Sequence, residues 1–197
     1  NGLTCPVLVV GYIPLENLKT AVDFDLSLTV YNHETLDRLS KAARNAGHPA
    51  RVHVKVETGT HRQGIRENEV VEFFQKIRAL PGLRLEGLSS HFANIEDTTD
   101  HSYAKYQQEN FLRICHQIQA KGISIPIQHI ACSAAVILLA ETYFDMVRVG
   151  IGMYGLWPSR DVYVSNLIKR RNPFRLKPVL SWKSKVAQVK RVAKNAF

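Results

Sequence analysis

The residue types that could perform chemistry are concentrated in one stretch, Asp145 to Gly155, which reads DMVRVGIGMYG. Apolar β-branched residues surround Arg148, a pattern typical of a strand buried on both faces of a parallel sheet. A guanidinium keeps its charge in proteins, so burying it without a partner is costly. Gly150 and Gly152 then leave backbone N–H groups open to a ligand. The stretch predicts a site for an anionic, ring-containing cofactor, although a structural salt bridge followed by a glycine turn fits it equally well.

Strand and helix patterns alternate along the chain and must position this stretch. The predicted strands are short apolar runs at 7–10, 26–30, 52–56, 85–90, 125–131 and 146–151. The helices predicted between them are at 15–22, 33–46, 67–79, 100–121 and 134–141. Asn32 is placed to cap the second helix, Gly47 to end it, and Ser133 to cap the last. This alternation indicates a parallel α/β sheet with right-handed crossovers.

Two architectures fit such a sheet. A doubly wound open sheet usually carries a glycine-rich GxGxxG loop after its first strand, and that motif is absent. A (β/α)8 TIM barrel places polar residues at the carboxyl ends of several strands, as Arg62, His91, Ser133 and Gly150 are placed here. The sequence therefore favours the barrel.

The chain is short for a complete barrel. Six strand–helix units occupy about 155 residues, whereas eight typically need about 250. The chain also opens without Met, so we expect an internal fragment that lacks both termini and contains strands 3 to 8. After Pro158 the pattern changes, and an extended run at 180–192 predicts the start of a β domain. We therefore divide the chain into a partial barrel at 1–158 and a linker with the start of a β domain at 159–197.

Composition narrows the class of protein. The chain has 197 residues, 45% hydrophobic and 22% charged, which predicts a soluble globular protein. It has no apolar run of about 18 residues and no signal peptide, so we expect a cytoplasmic protein without a membrane partner. The net charge of +9 comes from residue 160 onward, with eleven Lys/Arg and one acidic residue. No nucleic-acid motif accompanies this charge, and the three scattered cysteines predict no metal site.

Five phrases of the sequence resemble alanine racemase, a pyridoxal-phosphate (PLP) enzyme with an eight-stranded barrel followed by a β domain. They occur in the family's order and spacing across nearly the whole chain. The phrases are VHVKVETGTHRQGI (52–65), GLSSHFAN (87–94), HIACSAA (129–135), VRVGIGMYG (147–155) and LKPVLSWKSKVAQVKRV (176–192).

The resemblance implies a role for each residue around the cofactor. Arg148 would donate to the pyridine nitrogen of PLP, where a permanent cation disfavours protonation of the ring. His91 would hydrogen-bond Arg148 and hold its orientation. Ser133, with the backbone amides of Gly150 and Ile151, would hold the phosphate.

The resemblance also covers the third strand and the loop after it. Arg62 matches an arginine that contacts the cofactor phenolic oxygen and the substrate carboxylate region. Lys55 matches a lysine that is often carbamylated and braces that arginine; a free lysine with a buried stem is the alternative. Two positions depart from the family pattern: Glu57 stands where Asp is usual, and Cys132 stands where Asn is usual.

The function implied is interconversion of L- and D-alanine for cell-wall precursors, by a head-to-tail homodimer. The Schiff-base lysine would precede Asn1 and the opposing tyrosine would follow Phe197, so we expect this segment alone to be inactive. Another enzyme on the same barrel, such as a broad amino-acid racemase or an ornithine-decarboxylase-like enzyme, is the nearest alternative. A non-catalytic PLP-binding protein is a third.

Overall fold

A computed structural model describes residues 4–169, 173 and 175–196. Five parallel strands form one sheet: β1 (Leu8–Val9), β2 (Ser27–Val30), β3 (Ala50–Lys55), β4 (Leu83–Ser89) and β5 (Ile127–His129). Six helices accompany them: α1 (Leu18–Asp23), α2 (His33–Ala46), α3 (Val70–Ala79), α4 (Ser102–Gln119), α5 (Ser133–Leu138) and α6 (Arg160–Lys169). No described helix is both long and apolar enough to cross a membrane.

The strands lie in the order β1-β2-β3-β4-β5, so each pairs in parallel with its neighbour in the chain. A doubly wound sheet reverses its strand order at a switch point. This sheet has no reversal among its five strands and curls into a half-barrel, so the open-sheet alternative is wrong.

The two faces of the sheet differ in polarity because successive side chains of a strand point to opposite faces. In β3, Val52 and Val54 pack into the apolar core, which also contains Phe73, Phe74 and Phe111 from α3 and α4. The residues between them on the strand are polar and buried, namely His53 and Lys55. The inner face of the half-barrel is therefore polar, and the outer face holds the helices.

The ends predicted for α2 are confirmed. The Asn32 side chain accepts a hydrogen bond from the Thr35 backbone N–H at 2.8 Å, which satisfies one free donor of the first turn. Gly47 ends the helix with φ 75°, a left-handed conformation that glycine adopts without steric cost. These two caps fix where the chain turns back towards β3.

The sixth predicted strand is wrong. Residues 146–150 contain no strand, and Ile151–Tyr154 forms a 3-10 helix. The Asp145 N–H donates to Gln128 O at 3.1 Å and the Arg148 N–H to Ala131 O at 3.0 Å. The segment therefore follows β5 without forming a ladder, and Val147 and Val149 are 38% and 37% exposed, not buried on both faces.

The carboxyl-terminal prediction also changes. Helix α6 lies at the start of the region predicted to be a linker. The run at 180–192 contains no strand, and its large apolar side chains are exposed, with Trp182 at 90%. The start of a β domain there stays a prediction.

Candidate functional site

One cavity of about 130 Å³ lies at the carboxyl ends of β3, β4 and β5. Its lining consists of Val10, Thr29, Lys55, Arg62, Ser89, Ser90, His91, His129 and Arg148. Four residues singled out from the sequence thus line one cavity: Lys55, Arg62, His91 and Arg148. Three of the lining residues are Lys or Arg and none is acidic, so the cavity suits an anionic ligand.

Arg148 is held by oxygen and nitrogen acceptors, not by a counter-charge. Its Nη2 donates to the carbonyl oxygens of Ser90 at 2.7 Å and Ile130 at 3.2 Å, and its Nη1 to that of His129 at 3.2 Å. Nη1 also contacts His129 Nδ1, and Nη2 lies 3.4 Å from His91 Nδ1. Among the described residues, no carboxylate lies within ion-pair distance of Arg148. Its positive charge therefore remains available to a ligand.

The two histidines beside Arg148 are neutral. Burial, followed by the charges of Arg148 and His53, lowers the pKa of His129 to about 2. Burial, followed by the charges of Arg148, Lys55 and Arg62, lowers the pKa of His91 to about 4. At neutral pH both imidazoles therefore accept from the guanidinium and do not repel it.

Lys55 and Arg62 are the other two cations of the cavity. Lys55 is 8% exposed, and burial, then the charges of Arg62 and Arg148, lower its pKa despite the opposing charge of Glu57. Its Nζ has no ion-pair partner within the described ranges. Arg62 is exposed at the cavity edge. A buried amine beside two guanidiniums is unfavourable unless something negative joins them.

The loop that carries Arg62 is wound around the Glu57 carboxylate. Glu57 Oε1 accepts from the N–H groups of Gly59 at 2.5 Å and Thr60 at 2.6 Å. Burial raises the pKa of Glu57, but hydrogen bonds from Gly59, His61, Thr60 and Arg62 outweigh burial and lower it. Glu in place of the family's usual Asp thus still organises this loop.

Ser133 is the centre of a small polar cup. Its Oγ accepts from the N–H of Gly150 at 3.0 Å and of Gly152 at 3.3 Å. Ser133 does not cap α5 as predicted, because it is the first residue of that helix and its hydroxyl faces the two glycine amides. Ile151 lies between the two glycines and starts the 3-10 helix. In this cup, two backbone amides converge on one side-chain hydroxyl.

Cys132 does not face the cup as a donor. Its Sγ lies 3.3 Å from Glu96 Oε1, and burial is the main cause that raises the pKa of the thiol to about 11. A thiol that stays protonated is a poor nucleophile. We therefore assign Cys132 a packing role beside Ser133.

Comparison with known proteins agrees with this geometry. The family model "Alanine racemase, N-terminal domain" matches residues 1–158. The chain belongs to this family. It is 39% identical over 195 residues to alanine racemase of Methanococcus maripaludis, covering 98% of this chain and 50% of that protein. It is 38% identical over 191 residues to alanine racemase of Desulfovibrio desulfuricans, covering 97% and 49%.

Solved structures of alanine racemases have the same fold. The Clostridium difficile 630 protein in complex with cycloserine matches with a TM-score of 0.81 and 32% identity, over 90% of this chain and 47% of that one. The Bacillus anthracis protein with bound L-Ala-P matches with a TM-score of 0.79 and 32% identity, over 90% and 44%. The chain spans about half the length of these alanine racemases.

Two histidines near the site were not predicted from the sequence. His129 lines the cavity, and His53 contacts His129. The signal for His53 was its spacing from Lys55, because residues two apart on a strand share a face. The signal for His129 was its position at the end of β5. Each of these two histidines by itself resembles an ordinary core residue.

Proposed function

We propose that this chain supplies the PLP-binding barrel half of an alanine racemase that interconverts L- and D-alanine. The observation that carries the proposal is the cavity at the strand ends, lined by Lys55, Arg62 and Arg148 and by no carboxylate. Such a cavity favours a ligand with several negative charges, as a phosphorylated cofactor and an amino-acid carboxylate together provide.

The cup and Arg148 fit the two ends of PLP. The Ser133 hydroxyl and the amides of Gly150, Ile151 and Gly152 are the groups that would bind the phosphate, the two glycine amides by exchanging their bond to Ser133 Oγ for one to the anion. Arg148 would donate to the ring nitrogen and, as a permanent cation, keep it unprotonated. When bound, PLP supplies the electron sink for removal of the α-proton. His91 holds the guanidinium in place from the cavity side.

Arg62 and Lys55 would handle the substrate end. Arg62, exposed at the cavity edge, would bind the substrate carboxylate and the cofactor phenolic oxygen through its paired N–H donors. Lys55 has a lowered pKa, which enlarges its uncharged amine fraction. The uncharged amine forms an N–C bond with CO₂ and releases a proton, so the product is a carbamate anion. This anion would convert the repulsion between Lys55 and Arg62 into attraction; the alternative is a free lysine.

The remaining machinery is assigned by family likeness alone. We propose that the Schiff-base lysine precedes Asn1, that the opposing tyrosine follows Phe197, and that residues 159–197 lead into a β domain. A head-to-tail homodimer, a cytoplasmic location and a role in cell-wall precursor synthesis complete the proposal.

The decisive experiment uses the full-length polypeptide that carries this chain. Purified protein with PLP and L-alanine is expected to form D-alanine, while the 197-residue chain by itself is expected to form none above a no-protein control. Ornithine and other amino acids serve as competing substrates. PLP binding without turnover of any amino acid would overturn the racemase in favour of a binding protein, and turnover of ornithine in preference to alanine would indicate a decarboxylase-like enzyme.

A further inference from the structure

A line of buried polar side chains runs from Arg148 away from the cavity and into the half-barrel. His129 and His53 are 1% and 3% exposed. His129 Nδ1 contacts Arg148 Nη1, and His129 Nε2 lies 2.9 Å from His53 Nδ1. His53 Nε2 in turn lies 3.8 Å from Glu86 Oε2. Four side chains on four different segments are therefore arranged in series.

The chemistry of arginine sets the direction of every proton in this series. A guanidinium has only donors, so His129 Nδ1 must accept and its proton must lie on Nε2. That N–H points at His53 Nδ1, which must accept in turn, so the proton of His53 lies on Nε2 and faces the Glu86 carboxylate. The two imidazoles can satisfy the series only as neutral rings with the same tautomer.

Both histidines meet the electrostatic condition for this arrangement. Burial, and then the charges of Arg148 and His53, lower the pKa of His129. Burial lowers the pKa of His53, opposed by Glu86 and assisted by Arg148. A proton added to either ring would turn an acceptor into a donor that faces another donor.

The sheet is built to admit the His53 ring. His53 lies opposite Gly87 of β4, and the register of the β3–β4 ladder shifts between Val52 and His53. A Cβ on Gly87 would overlap the His53 ring and lie 2.7 Å from the Ile127 carbonyl oxygen. Glycine at this position therefore leaves room for the His53 ring between β3 and β4.

The far end of the series is anchored independently. The Ser27 hydroxyl donates to Glu86 Oε2 at 2.6 Å, and Arg51 Nε lies 3.6 Å from Glu86 Oε1. The carboxylate thus has partners on both of its oxygens, and it faces the Nε2 side of the His53 ring at ion-pair distance.

We propose that His53 is a positioning residue for Arg148: with Glu86 behind it, His53 accepts the Nε2–H of His129 and so holds the His129 ring, and through it the guanidinium, in place. The catalytic consequence rests on the proposed function, in which Arg148 meets the ring nitrogen of PLP. His53 itself does not line the cavity, so it acts only through His129.

The test compares His53→Leu with His53→Asn in the full-length polypeptide. Asn retains an acceptor near the place of Nδ1, whereas Leu removes it. We expect Leu to lower the racemisation kcat by at least about tenfold, since small misplacements of a reacting group are costly, with a smaller change in KM. Asn should restore most of the loss. The control is His101→Leu, which replaces another buried histidine that contacts Lys169 and lies outside the series.

Histidine ¹⁵N NMR of the same protein measures the tautomers directly, without turnover, and the first measurement needs no substitution. In the unsubstituted protein, His129 and His53 should both be neutral with the proton on Nε2, and His53→Leu should shift the ¹⁵N signal of His129 Nε2, because its N–H loses its acceptor. A proton on Nδ1 of His129, or an unchanged kcat in folded His53→Leu, would overturn the proposal. Absent racemisation with the expected tautomers would instead reject the proposed function and leave the series intact.

Discussion

Strand β3 and the carboxyl-terminal segment 175–196 share a valine-rich pattern but have opposite environments. Val52 and Val54 of β3 are fully buried, whereas Val186 and Val189 are 75% and 85% exposed. Strand β3 lies between β2 and β4, which satisfy its backbone groups on both edges. The segment 175–196 forms no ladder with any described residue. The comparison teaches that this pattern specifies a strand only where neighbouring backbone is present to pair with it.

The largest expected difference between the two regions concerns stability. Phe111→Ala removes a fully buried ring from α4 and should lower the free energy of unfolding by about 3–5 kcal/mol. Trp182→Ala removes a ring that is 90% exposed and should change it by less than about 0.5 kcal/mol. Urea unfolding of the 197-residue chain measures both. A large loss for Trp182→Ala would show that the segment packs against the half-barrel.

Replacing a cation by methionine should also change the free energy of unfolding more in the half-barrel than in the segment 175–196. Arg148→Met leaves the carbonyl oxygens of Ser90 and Ile130 without their donor, and we expect a loss of about 3 kcal/mol because unsatisfied buried acceptors are costly. Lys185→Met, in the exposed segment, should change stability by less than about 0.5 kcal/mol. Equal effects of the two substitutions in urea unfolding would show that the hydrogen bonds from Arg148 to these carbonyl oxygens do not stabilise the fold.

Acid should weaken the half-barrel through its neutral histidines. The pKa of His129 is about 2 in the folded chain and lies near 6.5 in an unfolded one, so below about pH 6.5 only the unfolded state takes up the proton. Stability is therefore fully present above that pH and is lost as the pH falls, by about 2 kcal/mol for this residue at pH 5.

The measurement is urea unfolding at pH 7 and pH 5. His129→Gln should show a smaller loss between the two pH values than the unsubstituted chain. His116→Gln, which alters an exposed position on α4, should follow the unsubstituted chain. The same pH dependence in all three proteins would mean that His129 is not held neutral.

The smallest expected change in stability is that of a substitution in the cup, which should alter ligand binding and leave the fold intact. A Cβ on Gly150 would meet no protein atom within 4 Å, whereas one on Gly152 would lie 3.4 Å from Ser133 Oγ. Gly150→Ala in the full-length polypeptide should therefore leave unfolding nearly unchanged but weaken PLP binding about tenfold, or 1.4 kcal/mol, if a phosphate approaches the backbone there. Unchanged PLP titration would remove Gly150 from the cup.

Much of the fold was predictable because its signals are local. Caps such as Asn32 and Gly47 depend on hydrogen bonds and dihedral angles within a few residues, and both predictions are confirmed. Helix α3, predicted within 67–79, buries Val70, Phe73, Phe74 and Ile77. The prediction of a strand at 146–151 was wrong. A strand there needs a further strand on the side away from β5, and the residue types of the segment do not specify where such a strand lies.

The sequence by itself determined the alternation of the first five strands with helices and the two caps of α2. Only the tertiary structure decided that Lys55, Arg62, His91 and Arg148 line one cavity and that the hydroxyl of Ser133 meets the amides of Gly150 and Gly152. It also decided that Arg148 is met by carbonyl oxygens and neutral histidines, and by no acid among the residues that the structure describes. The physical reason is that the partners of a buried charge come from strands about 20 to 60 residues apart in the chain, and parallel pairing alone brings those strand ends together.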